Sequence, residues 1–331
     1  MAMTRSRRTT LSDIPKYRIG IDLGGTKMHA VVVNRHGKPL GSARRPTKSE
    51  VGYRDVLKRL RDTALEALSD AGIGLRDIRS IGLGMPGPVD QARGRVVVAP
   101  NLGWSDKPVA EDLRMLLRRP VVLANDVNCG GLGEATYGAA KDATSAAAAF
   151  VGTGLGGAII LAGKVINGAH GFAGEIGHVP APFDDAPCSC GRRGCLETVA
   201  SKTGITRMIL ANQASGLRCR IKIAKDAKVR SSDLLRAWQA GCPSTRRAIK
   251  ASARGVAWGL AAFGGIFDPE VFVLGGGVIE AMGSIFLPLV RDQLRIYSLL
   301  YSNRRPDVRL AALGDDAVAI GAAVASVEVL P

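Results

Sequence analysis

The chain has 331 residues, enough for two domains at roughly 100–200 residues each. With 46% apolar and 22% charged residues it is not a disordered chain, and its 41 glycines follow no Gly-X-Y period, so it is not collagen-like. Its 45 Lys and Arg against 29 Asp and Glu give a net charge of +16, which attracts polyanions without choosing among nucleic acid, a membrane surface and a nucleotide.

The opening MAMTRSRRTTLSDIPKYR is basic and lacks the apolar core of a secretory signal. Residues 1–17 read as a disordered basic tail, with a short organelle-targeting segment as the alternative. Strands are expected at Arg18–Asp22 and Ala30–Asn34, followed by a turn at Asn34–Gly37. Tyr53–Ala71 reads as a helix, because Val56, Leu57, Leu60, Ala64 and Leu68 share one face. Ser80–Met85, Arg95–Ala99 and Pro120–Asn125 read as strands, Glu111–Leu117 and Val127–Tyr137 as helices. The uncharged stretch Ala143–Gly163 is long enough to imitate a membrane span, but its five glycines fit two strands, Ala147–Val151 and Ala158–Leu161, around a glycine turn. Ser231–Gln239 and Ser244–Phe267 read as helices and Glu270–Leu274 as a strand. Alternating strands and helices indicate an α/β protein. A strand running into a glycine-rich turn recurs near residues 22, 152 and 275.

Those three turns carry the first chemical signal. Asp22-Leu23-Gly24-Gly25-Thr26-Lys27 lets backbone N–H groups approach an anion, and an Asp at a strand end can hold a metal ion directly or through water. A plain hairpin turn accounts for it as well. It is not a Walker loop. Gly152-Thr153-Gly154-Leu155-Gly156-Gly157 is a second cradle, followed by a strand rather than the helix of a dinucleotide site; Gly275-Gly276-Gly277 ends a third strand. Asn125-Asp126 closes a strand and opens a helix. Asp126 is either an N-cap or a carboxylate that accepts a hydroxyl proton.

The most specific pattern is His178-x9-Cys188-x-Cys190-x4-Cys195. Three thiolates and an imidazole fill a tetrahedral zinc site with no open position, which makes it structural. Gly191 and Gly194 permit the tight turn. Cys129, Cys219 and Cys242 read as ordinary residues, and His29, His36 and His170 receive no role. Glu175 lies three residues before His178 and Glu197 two after Cys195, so the knuckle would fix two carboxylates suited to sugar hydroxyls. Two solvated glutamates are the alternative.

In sequence order DLGGTK, GMPGPVD, PNLGW, AND, GTGLGG, GEIGH, CSCGRRGCLE and LGGG resemble the ROK family of sugar kinases and sugar-responsive repressors, over residues 18 to 330. The resemblance implies a two-lobed actin/hexokinase-like (ribonuclease H-like) α/β fold with a central cleft and a zinc knuckle at 178–195. The small lobe would take 18–124 plus 314–331 and the large lobe 125–313. It implies Asp126 as the base for the sugar 6-hydroxyl, with Asn101, Asn125, Asp126, Glu175, His178 and Glu197 around the sugar. It also implies Gly24, Gly25, Thr26, Lys27, Gly154 and Gly156 around the ATP phosphates, Asp22 holding Mg²⁺ through water, and Gly276 and Gly277 against the adenosine. Zinc would sit on His178, Cys188, Cys190 and Cys195. A cytoplasmic homodimer or homotetramer is implied, with no specific nucleic-acid partner and no membrane. The basic stretch Arg218–Arg230 matches no family motif.

Two functions are open to such a chain. One is an ATP-dependent hexose kinase. The other is a non-enzymatic sugar-responsive regulator, whose helix-turn-helix would need roughly 60–80 residues ahead of the first glycine turn, where only 21 precede Asp22. The kinase is favoured. Glucose is the expected sugar, because GAHGFAGE and PNLGW resemble the segments of the family's glucokinases. Mannose, fructose, N-acetylglucosamine and N-acetylmannosamine are the other sugars, and polyphosphate is the other donor. Because the glycine turns and the knuckle lie on separate segments, loss of zinc is expected to spare ATP binding.

Overall fold

The computed structural model describes residues 14–218, 229–298 and 306–328. The tail before residue 14 and most of the basic stretch 218–230, including Cys219, lie outside the described residues. The chain divides into two compact units, residues 1–133 with 315–331, and residues 134–314. The division follows Gly133 rather than residue 124, which places Asp126 and most of its helix with the first unit.

The first unit contains β1 (Tyr17–Leu23), β2 (Lys27–Asn34), β3 (Pro39–Pro46), α1 (Tyr53–Asp70) and β4 (Ile81–Met85). A small antiparallel sheet follows, of β5 (Val89–Asp90), β6 (Arg95–Ala99) and β7 (Trp104–Lys107). Then come α2 (Val109–Leu117), β8 (Val121–Asn125) and α3 (Asp126–Thr136). Its main sheet has the order β3-β2-β1-β4-β8, antiparallel through β3, β2 and β1 and parallel from β1 to β8. As the periodicity requires, α1 buries Val56, Leu57, Leu60, Ala64 and Leu68.

The second unit repeats this plan with β9 (Ser145–Val151), β10 (Leu155–Leu161), β11 (Lys164–Val165), α4 (Lys202–Ala214), α5 (Ser231–Gln239), α6 (Pro243–Phe267), β12 (Val271–Gly275), α7 (Gly277–Tyr297) and β13 (Asp307–Leu310). Its sheet order, β11-β10-β9-β12-β13, again pairs three antiparallel strands with two parallel ones. Both sheets are ribonuclease H-like, as the resemblance implies. The uncharged stretch is the β9–β10 hairpin, and no helix among the described residues is long and apolar enough to cross a membrane.

The last helix, α8 (Ala317–Glu328), returns to the first unit. Its small residues let its backbone settle directly on β1 and β4. A Cβ on Gly20 would overlap the Ala319 carbonyl oxygen, and one on Gly82 the carbonyl of Ala322. Neither backbone can yield cheaply, so Gly82→Ala is expected to destabilise the protein by about 3 kcal/mol or more, the upper range for overpacking. A thermal midpoint within a degree or two of wild type would refute this packing.

Candidate functional site

In the first unit, Asp22 stands near the carboxyl end of β1, and Gly24, Gly25 and Thr26 form the turn into β2. Asp22 pairs with Gly84 of β4, and Met85 of β4 pairs with Asn125 of β8. Asp22 and Asp126 therefore leave the same edge of the sheet two strands apart, roughly 10 Å by strand spacing. This is the edge at which parallel sheets bind ligands. Burial, then the negative charge of Asp126, pushes the Asp22 carboxyl up to about 7; Asp315 adds to this and Lys27 opposes it. Burial raises Asp126 as well, against hydrogen bonds that favour its ionised form. The Asp22 carboxylate, at this buried edge and beside the negative charge of Asp126, offers oxygen donors of the kind a hard divalent cation such as Mg²⁺ takes.

The alternative role for Asp126 falls to its neighbour. Asn125 Oδ1 accepts from the Asn128 N–H at 3.0 Å, the bond an N-cap makes, and Asn125 Nδ2 donates to the Gly87 carbonyl at 3.3 Å. Asp126 is the first residue of α3, and its Oδ1 accepts from the Val127 N–H at 2.8 Å. Asn101 lies in the short turn Pro100–Leu102, against the glycine turn: a Cβ on Gly25 would stand 3.2 Å from the Asn101 Cβ. Lys27 opens β2, with Nζ 3.4 Å from both carboxylate oxygens of Asp315. Arg44 reaches Asp315 at 3.6 Å.

In the second unit, the GEIGH segment lies on β10 because it carries glycines where it touches. A Cβ on Gly174 would stand 2.7 Å from the Gly157 carbonyl oxygen, and one on Gly177 would overlap that of Leu155. Glu175 then leads into the turn Ile176–His178. His178 Nδ1 is 3.7 Å from Cys188 Sγ, and Cys190 Sγ is 3.6 Å from Cys195 Sγ. All four ligand atoms lie within 4.8 Å of one another. A tetrahedral zinc ion with Zn–S bonds of about 2.3 Å has edges of about 3.8 Å, so the cluster fits that ion and is far too open for a disulfide. Gly191 and Gly194 take the left-handed backbone the knuckle needs, at φ 87° and 70°. A hydrogen bond from the Arg192 backbone draws the Cys190 thiol down to about 6, while burial pushes Cys195 up to about 12.

Glu197 does more than its spacing announces. Its Oε2 accepts from the Leu155 N–H at 2.9 Å, and its Oε1 from the Ser189 hydroxyl at 3.3 Å. A Cβ on Gly154 would overlap Oε2, so a side chain there would push the Glu197 carboxylate aside. The knuckle and the second glycine turn therefore share one carboxylate and are not independent segments. Gly156 lies in β10 opposite Phe150. Gly276, at φ 87°, lies against β9, where a Cβ would stand 2.8 Å from the Val151 backbone, and Gly277 opens α7. The second and third glycine motifs thus meet at one end of the sheet.

Three holding residues had no sequence signal. Thr47 bonds the first glycine turn, while the Lys202 N–H and the Thr203 hydroxyl donate to the carbonyls of Gly152 and Thr153 at 2.9 and 2.8 Å. Single threonines beside a strand or at a helix start belong to no motif.

With this geometry in view, the likeness to known proteins can be placed. The ROK family profile matches residues 18–328. The chain is 31% identical over 309 residues to a glucokinase of Halalkalibacterium halodurans, covering 92% of this chain and 93% of that one. It is 31% identical over 304 residues to a xylose repressor of Caldicellulosiruptor bescii, covering 92% of this chain and 76% of the repressor. A solved ROK family glucokinase from Streptomyces griseus, in complex with glucose and AMPPNP, matches with a TM-score of 0.81 at 28% identity, covering 94% of this chain and 99% of that one. The match runs from the first strand into the last helix, and the chain belongs to the ROK family.

Proposed function

We propose that the protein is an ATP-dependent hexose kinase that phosphorylates the 6-hydroxyl of glucose. The observation that carries this reading is Asp126 at the carboxyl edge of the sheet, released from capping by Asn125 and set in the same edge as Asp22 and the first glycine turn. Asp126 accepts the proton of the sugar 6-hydroxyl as that oxygen forms its bond to the γ-phosphorus. The bond from the γ-phosphorus to the β,γ-bridging oxygen breaks, and ADP leaves. Asn101, Asn125, Glu175, His178 and Glu197 hold the other hydroxyls. His178 keeps Nδ1 for zinc and offers Nε2 to the sugar.

Gly24, Gly25, Thr26 and Lys27, with Gly154 and Gly156, surround the phosphates, and Gly276 and Gly277 lie against the adenosine. Mg²⁺ held near Asp22 through water would supply positive charge to the phosphates, which no Walker lysine does here. The zinc is structural. The protein is a homodimer or homotetramer, which light scattering would measure. The xylose repressor supports a second reading, a sugar-responsive regulator. An assay of sugar-phosphate formation over a panel of glucose, mannose, fructose, N-acetylglucosamine and N-acetylmannosamine, with ATP and polyphosphate as donors, tests both. The highest kcat/KM is expected with glucose and ATP. No turnover with any pair would overturn the kinase in favour of the regulator.

Asp22 makes the metal dependence pH-sensitive. In the unfolded chain it ionises near 3.8, and in the fold near 7. Between those values the folded state holds the extra proton, so its contribution to stability falls as pH rises from about 4 to about 7. Mg²⁺ displaces that proton. EDTA is therefore expected to abolish turnover, and Mg²⁺ to raise the thermal midpoint more at pH 8 than at pH 5. A rise that is equal at both pH values would remove Asp22 from the metal site.

A further inference from the structure

We infer that Thr47 is a positioning residue that holds the first glycine turn in its anion-binding shape, serving the nucleotide rather than the sugar. The inference rests on the reading of that turn as a phosphate cradle. Thr47 immediately follows β3, whose last residue, Pro46, pairs with Lys27. It is fully buried. Its hydroxyl donates to the Gly24 carbonyl at 2.7 Å and its N–H to the Thr26 carbonyl at 2.9 Å. The Gly24 N–H donates to the Lys27 carbonyl at 2.9 Å. Three carbonyls around the turn, at 24, 26 and 27, are thus occupied from within the protein.

This matters because a phosphate offers only acceptor oxygens, and a carbonyl pointing at it repels it. In a trans peptide unit the carbonyl and the next N–H point in opposite directions. Drawing the Gly24 carbonyl toward Thr47 aims the Gly25 N–H away from Thr47. Drawing the Thr26 carbonyl the same way does so for the Lys27 N–H. Thr47 therefore sets the direction of two donors without touching the nucleotide. Two glycines in a row leave the turn free to flip its peptides, so the direction has to be imposed from outside.

The test is Thr47→Val, which keeps the shape and removes the hydroxyl, with Thr47→Ala as a second variant that makes no demand on volume, and Thr47→Ser, which restores the donor. Each is titrated with Mg-ADP by calorimetry and assayed for KM of ATP and of glucose. Thr47→Val and Thr47→Ala are expected to weaken Mg-ADP binding and raise the ATP KM about tenfold, the size of one lost buried hydrogen bond. The glucose KM should stay within about twofold, and Thr47→Ser should recover most of the nucleotide affinity. Equal rises in both KM values, or no rescue by serine, would show a merely structural threonine and overturn the inference. Unchanged Mg-ADP affinity in Thr47→Val would overturn it too. If wild type itself binds no Mg-ADP, the phosphate-cradle reading fails first, and the inference with it.

Discussion

Asp126→Asn is expected to lower kcat by ~10²-fold or more while leaving the glucose KM almost unchanged. The substitution is nearly isosteric. An asparagine Oδ1 can still accept from the Val127 N–H, and the cap of α3 is held by Asn125, so the helix start survives. What disappears is the group that takes the hydroxyl proton. The pH profile supplies a second readout. Burial holds the Asp126 carboxyl above the ordinary carboxylate range, so wild-type kcat/KM should fall as pH drops through that raised value. The acidic limb assigned to Asp126 should be missing in the asparagine variant. If Asp126→Asn keeps half the wild-type turnover, the base lies elsewhere and the proposed chemistry loses its central residue.

How much of this was legible in the chain follows from which signals are local. The face of α1 was readable because five apolar residues repeat at helical spacing and bury together. The knuckle was readable because four ligands lie within 18 positions and the glycines between them carry the turn. β3 was not anticipated. It is an edge strand with two prolines, and only Ala43 is buried, so it has neither an apolar run nor clear alternation. α7 was missed as well: it opens on glycines and carries Pro288 in its interior, both ordinary breakers. α4 has little amphipathic character to find. The boundary after Gly133 was equally hidden, because α3 runs across it without a break in the helix.

The glycine turns show the same division between local and tertiary information. Their recurrence near residues 22, 152 and 275 was visible as composition. Its cause was not. In both sheets the turn joins the first strand to the second, at Gly24–Thr26 and at Gly152–Gly154, and in both the fourth strand ends in a glycine-containing segment, Met85–Gly87 and Gly275–Gly277. One plan used twice explains three of the motifs. It also explains why sequence comparison of the halves shows only an echo, since just the residues that approach a neighbour closely are restricted to glycine. Gly276, at positive φ with its backbone against Val151, is such an approach.

The zinc knuckle gives the second large effect, and here the structure changes the expectation. Cys190→Ser removes one of four ligands and leaves a three-ligand site of weakened affinity. Wild-type protein should carry close to one zinc per chain by elemental analysis, and the variant far less. His178 and Cys195 lie beside Glu175 and Glu197, so loss of the ion frees both proposed sugar-binding carboxylates, and the glucose KM should rise by ~10-fold or more with a fall in thermal midpoint of several degrees. On sequence spacing alone, ATP binding would escape. Glu197 Oε2, however, accepts from the Leu155 N–H, and its Oε1 accepts from Ser189 inside the knuckle. A loosened knuckle pulls on that carboxylate, and the carboxylate holds the turn beside Gly154 and Gly156. The ATP KM is therefore expected to rise too, by about threefold to tenfold, the scale of one hydrogen bond. The first glycine turn is held by Thr47 and takes no part. A Cys190→Ser enzyme with a raised glucose KM and an unchanged ATP KM would show that Glu197 does not couple the two. A zinc-free preparation with full activity would show that the cysteines only pack, and would take away the reason for placing Glu175 and Glu197 at the sugar.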